Sequence, residues 1–126
     1  MQNSPYDRVA YRTFPRRQTH PDRLAAVGAL FGMRPARVTQ CRLLEIGCGS
    51  GGNIIPLAYT LRGSNSLGID LAKQPIAAAR KTSRALALDN LELRTCDLRD
   101  LLPSEGVFDY ILAHGIYSWV PAEVRD

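Results

Sequence analysis

The stretch CRLLEIGCGSGGN, residues 41–53, begins as a short apolar run and breaks into four glycines within six positions. A run of this length, apolar almost throughout, suits a strand buried on both faces of a parallel sheet. Gly47, Gly49, Gly51 and Gly52 let the backbone turn tightly and approach a ligand, and a helix predicted over 52–61 would add free N–H groups at its start. Pro56 is tolerable in that helix because it lies early. The segment therefore reads as strand, nucleotide-type loop and helix. Gly47, Gly49 and Gly52 also satisfy GxGxxG, so spacing alone leaves dinucleotide binding open.

Downstream the alternation repeats. NSLGID (65–70) is predicted as a second strand and 71–88 as a helix, with Pro75 early and Ile76, Ala79, Ser83 and Leu86 on one stripe. Asp89 and Asn90 make a turn, LELRTC (91–96) a third strand, 103–106 a loop, VFDYILAH (107–114) a fourth strand, and 121–126 the start of a helix. Strands alternating with helices of this length imply right-handed crossovers and a parallel sheet, hence an α/β doubly wound domain. Upstream, a helix is expected from Pro21, with Thr19 as its cap, Asp22 in its first turn, and Leu24, Val27 and Phe31 on one face. Gly32 and Pro35 stop it. The first 20 residues lack periodicity and carry Tyr6, Tyr11 and Phe14, so they are expected to form an arm that covers the ligand cleft. Residues 1–40 are thus predicted as arm and helix, a lid, and 41–126 as the start of the ligand-binding domain.

Composition fits one soluble domain: 126 residues, 45% hydrophobic and 22% charged. No apolar run is long enough for a membrane span, and the N-terminus lacks the apolar core of a secretory signal. Cys41, Cys48 and Cys96 show neither CxxC nor disulfide-scaffold spacing and read as reduced thiols in a cytoplasm. The net charge of +4 is uneven: residues 1–42 hold eight arginines against Asp7 and Asp22, and the remainder is slightly acidic. That front segment is either a solvated arm or a patch for phosphate or an acidic substrate. No zinc spacing, helix-turn-helix or aromatic RNA motif indicates a metal or a nucleic acid.

Two acids end strands on the edge where ligands of open α/β sheets bind. Asp70 lies 18 residues beyond Gly52 and either accepts hydrogen bonds from ribose hydroxyls or caps the next helix. Asp97 either accepts the exocyclic amine of an adenine or serves the turn before Leu98-Arg99-Asp100. His114 is a candidate base or an ordinary strand-end histidine, and Tyr117 and Trp119 are pocket walls or core. Cys48 and Cys96 pair with no base and read as small packing residues, and His20 as a residue at a helix start.

The order Glu-x-Gly-x-Gly-x-Gly, an acid ending the second strand, then Cys-Asp-Leu after the third resembles the class I S-adenosylmethionine-dependent methyltransferases. The acids Glu45 and Asp97 favour that family over dehydrogenases. QTHPDRLAA, LLEIGCGSGGNIIPLAY and FDYILAHGIYSWVP resemble, more narrowly, a bacterial group in which this domain precedes a methyltransferase regulatory domain; the likeness runs from about Tyr6 to Asp126. The resemblance implies a Rossmann-like sheet in the order 3-2-1-4 and S-adenosyl-L-methionine as cofactor. It implies that Gly47, Gly49 and Gly51 meet the methionine and ribose moieties, that Glu45 orients the loop and the ammonium, and that Asp70 binds the ribose. Leu71 would pack on the adenine, Asp97 and the Leu98 N–H would read its edge, and Ala113 and His114 would lie near the methionine amine and the methyl group. Family members continue through three more strands, so the chain is expected to be a fragment or a truncated product with its fourth strand at an open edge. That edge invites self-association or completion by another chain. The methyl acceptor stays open. A cofactor-binding module without turnover and an NAD-binding Rossmann fragment are the alternatives.

Overall fold

The computed structural model describes residues 11–101 and 103–125. Four short strands form one parallel sheet: β1 (Arg42–Ile46), β2 (Asn65–Asp70), β3 (Leu91–Thr95) and the short β4 (Tyr110–Leu112). Their order is β3-β2-β1-β4, as expected, with Leu44 opposite Leu67 and Ile111, and Leu67 opposite Glu92. The helices are α1 (Pro21–Leu30), α2 (Ile54–Thr60), α3 (Lys73–Ala85) and α4 (Ala122–Arg125).

One face of the sheet carries most of the core. Leu43, Leu93, Tyr110 and Leu112 point there and meet Ile54, Leu57 and Ala58 of α2 and Ile76 and Ala79 of α3. Each such buried aliphatic side chain stabilises the fold by about 1.5–3 kcal/mol. On the opposite face Leu44, Leu67 and Ile69 are covered by Leu98, Leu101 and Phe108 from the connection to β4. Two polar devices tie the layers. The Asn90 amide nitrogen donates to the carbonyls of Ala58, Leu61 and Ser64, closing the C-terminal end of α2 onto the start of β3. Gly68, inside β2, leaves room for a neighbour: a Cβ there would come within 2.9 Å of the Cys48 sulfur and 3.0 Å of Leu93 Cδ2.

Several boundaries differ from the sequence expectation. Strand β4 is three residues long instead of eight, because the residues ahead of it are engaged by Arg42. The Asp109 carboxylate accepts the Arg42 backbone N–H, the Asp109 N–H bonds the Arg42 carbonyl, and the Arg42 guanidinium donates to the Val107 carbonyl. Beyond Leu112 the chain turns away, with Gly115 at φ +70°. Helix α2 starts at Ile54 rather than Gly52, and α3 spans 73–85 rather than 71–88, with Ile76, Ala79 and Ser83 buried and Leu86 partly exposed at its end. Helix α1 is rotated from the predicted stripe. Pro21, Leu24, Ala25 and Gly28 face inward, whereas Val27 and Phe31 face out, Phe31 being 85% exposed. Its cap is His20, whose Nδ1 accepts the Asp22 N–H; the Thr19 hydroxyl donates to the Arg16 carbonyl instead. Among the described residues no helix is long and apolar enough to cross a membrane.

Candidate functional site

The loop between β1 and α2 lies at the carboxyl edge of the sheet, and its glycines alternate with side chains. Gly47, Gly49 and Gly51 adopt φ values of +71°, +54° and +81°, which L side chains rarely adopt. Each also faces a neighbour: a Cβ would meet Ile116 at Gly47, Thr13 at Gly49 and Ile55 at Gly51. The N–H groups of Gly47 and Cys48 both donate to the Ile69 carbonyl, so the loop is anchored on β2 as well as on its own strand.

Asp70, ending β2, braces this loop. One carboxylate oxygen accepts the Gly49 N–H at 2.8 Å and the other accepts the Ala72 N–H at 2.9 Å. Asp70 thus closes the β2–α3 turn and fixes the glycine loop, while each oxygen retains a lone pair. It does not cap α3, whose N-cap is Ala72. Leu71, beside it, is an exposed apolar side chain on the same edge.

Glu45 is buried at the end of β1, under the loop. Its Oε1 accepts the Asn53 side-chain amide at 2.7 Å, and its Oε2 has no hydrogen-bond partner among the described residues. Burial pushes its carboxyl up to about 7, opposed by the Asn53 hydrogen bond, the Ile54 N–H and the Arg16 charge. The same burial, with Glu45 and Asp70 nearby, raises the Cys48 thiol well above its usual range, in keeping with a packing role.

The remaining predicted residues are less closely gathered. Asp97 follows β3, where its carboxylate takes the Arg99 N–H and two guanidinium donors at 2.6–3.0 Å. Those bonds hold it low, at about 2. The turn role is the one its side chain performs here, with Leu98 packed inward against the Leu44 cluster. Ala113 and His114 follow β4 and are exposed. Tyr117 and Trp119 are exposed too, 69% and 65%, and the Arg125 guanidinium lies over the Tyr117 ring. Among the described residues no group of His, Cys, Asp and Glu is disposed to hold a metal ion.

The arm reaches the loop, although not through its aromatics. Tyr11 and Phe14 are exposed, and Tyr6 lies outside the described residues. The contact is polar. The Thr13 hydroxyl accepts the Gly52 N–H and lies 2.8 Å from the Ser50 hydroxyl, and the Arg16 N–H donates to Asn53 Oδ1. Thr13 and Asn53 were invisible to sequence reasoning, since partners some 37–39 residues apart leave no local spacing.

Comparison with known proteins accords with this geometry. Residues 44–126 match the methyltransferase domain family. The uncharacterised protein RP789 of Rickettsia prowazekii (strain Madrid E) is 43% identical over 124 residues, 98% of this chain and 22% of that protein. RP028 of the same strain, also uncharacterised, is 42% identical over 121 residues, 96% of this chain and 48% of that one. The solved structure of PKMT2 from Rickettsia typhi in complex with AdoHcy superposes with a TM-score of 0.86 at 42% identity, covering 91% of this chain and 22% of that one. The chain thus spans from about a fifth to about half of these relatives' lengths. With the family matched from within β1 to the last residue and the PKMT2 structure superposing over 91% of the chain, this chain belongs to the methyltransferase domain family, built on the Rossmann-like class I scaffold.

Proposed function

We propose that this domain binds S-adenosyl-L-methionine and forms the donor half of a methyltransferase acting on an acceptor still to be identified. The observation that carries the reading is the pairing of a left-handed glycine loop with the buried, unpartnered Oε2 of Glu45 beneath it. An acid there suits a cationic cofactor and would repel the pyrophosphate of a dinucleotide. In RP789, RP028 and PKMT2 the matched region is part of a longer chain, so the reaction of the whole protein is itself part of the proposal.

The cofactor supplies an electrophilic methyl group on a sulfonium. The chain's part is to hold it and to keep the acceptor in line. Gly47, Gly49 and Gly51 let the backbone approach, Asp70 offers its free lone pairs to ribose hydroxyls, and Leu71 offers an apolar platform to the base. Asp97 reads the base edge only after Arg99 releases it; the Leu98 N–H and the Ala113 backbone complete the rim. His114 acts as a base only for acceptors that must lose a proton. The three free thiols suit a reducing, cytoplasmic setting.

Calorimetry with S-adenosylhomocysteine tests the reading. Asp70→Ala should lose about 1.5–3 kcal/mol of binding free energy, the scale of a hydrogen bond to a charged group. Unchanged affinity removes Asp70 from the site, and heat only with a nicotinamide dinucleotide replaces the cofactor. Binding without S-adenosylhomocysteine formation from the methyl donor would assign a module without turnover.

A further inference from the structure

We infer that Asn53 is a positioning residue that fastens the arm to Glu45, so that seating of residues 13–19 and the aim of the Glu45 carboxyl at the cofactor are one event. The inference rests on the cofactor reading of the glycine loop. Asn53 stands at the N-cap of α2, where an asparagine side chain ordinarily accepts an N–H of the first turn, and it makes no such bond. Its amide is spent outward. Oδ1 accepts the Arg16 N–H at 2.8 Å, and Nδ2 donates to Glu45 Oε1 at 2.7 Å and to the Thr19 hydroxyl at 3.3 Å. One buried side chain thus holds two points of the arm and one oxygen of the acid, using both of its donor hydrogens.

Gly52 supplies independent support. It is absent from the left-handed glycines of this loop, so its lack of a side chain does not serve backbone geometry. A Cβ there would run into the backbone carbonyl of Thr13. The glycine is needed because the arm's main chain lies on it, and the Thr13 hydroxyl takes its N–H. Besides the Ser50 hydroxyl, the arm therefore meets two successive residues, Gly52 by backbone and Asn53 by side chain. Glu45 lies beyond the second, its Oε2 left for the ligand.

Two variants of the full chain test this, because Asn53→Ala removes the amide and Gly52→Ala displaces the arm while leaving Asn53 and Glu45 chemically intact. The expected result is that each weakens S-adenosylhomocysteine binding about tenfold or more, and that the double variant is no weaker than the worse single within about threefold. Hydrogen exchange should show the Arg16 and Gly52 amides losing protection together in Asn53→Ala. The Glu45 carboxyl carbon, followed by NMR, should shift its titration midpoint further in Gly52→Ala than in Arg16→Gln, which removes only the Arg16 charge and keeps its backbone N–H on Asn53. Multiplying losses in the double variant, retained protection at Gly52 in Asn53→Ala, or a midpoint moved no further in Gly52→Ala than in Arg16→Gln would each overturn the inference. If the parent chain gives no heat with S-adenosylhomocysteine, the cofactor reading fails, and the exchange and titration results still decide the role of Asn53.

Discussion

Replacing Glu45 by glutamine isolates the cost of holding an acid under the glycine loop. In the folded chain its carboxyl titrates near 7, against an ordinary 4.5 for an exposed glutamate. Between those values the folded state keeps a proton that the unfolded chain has released, so stability falls as pH rises through the window and levels off above it. At about 1.4 kcal/mol per pH decade the contribution lost is about 3 kcal/mol. Glu45→Gln abolishes the titration and keeps an Oε1 acceptor for the Asn53 amide. Urea unfolding of both proteins at about pH 5, 6, 7 and 8 gives their difference in stability, from which every other titrating group cancels. The variant should gain on the parent by about 2.5 kcal/mol between the lowest and highest pH, whatever constant offset the new amide brings. A flat difference, or one that grows toward acid, would show that Glu45 is not held in a desolvated site and would remove the physical basis for a cationic ligand there.

Asn90→Ala should cost about 2–4 kcal/mol in urea unfolding, because it removes the buried amide donor to the carbonyls of Ala58, Leu61 and Ser64, of which Leu61 keeps the Ser64 N–H; a loss below about 1 kcal/mol would mean water replaces the amide. Gly51→Ala combines φ +81° with a Cβ placed 2.6 Å from Ile55 Cδ1, and should destabilise by about 2 kcal/mol or more, where an ordinary surface Gly→Ala change would stabilise. Ile111, 58% exposed on the edge strand β4, is expected to mediate self-association, so Ile111→Lys should lower the apparent mass in light scattering at micromolar concentration; an unchanged mass places the contact elsewhere.

How far the sequence could be read depended on whether the deciding partner was local. Strands β1, β2 and β3 were legible because each is a short segment with apolar residues at its buried positions, closed by turn residues, and β2 was located to the residue. Strand β4 was overread because Val107 and Phe108 extend its apolar run, whereas Val107 and Asp109 are held by Arg42, 65–67 residues away. In α1 the positions 24, 27 and 31 fit a helical stripe as well as 21, 24 and 28 do, and only the packing partner chooses between them. At the site, the glycines and the acids ending strands were legible, since their positions follow from strand ends. The orientation of Asp97 toward Arg99 was not. The dinucleotide spacing of Gly47, Gly49 and Gly52 has a physical explanation: the third glycine answers to Thr13 on the arm and coincides with that pattern by accident.

The absent side chain at Gly68 makes the Cys48 thiol a gauge of motion. Its sulfur sits against the middle of β2, in space that any other residue at position 68 would fill, and burial keeps the thiol protonated. An alkylating reagent reaches that sulfur only when the loop lifts from the sheet, so the rate at which Cys48 is labelled in the native protein counts those openings. Cys96, half-buried after β3, supplies an internal reference at the same edge. The chain thus carries its own chemical clock for the breathing of its glycine loop, requiring no introduced probe.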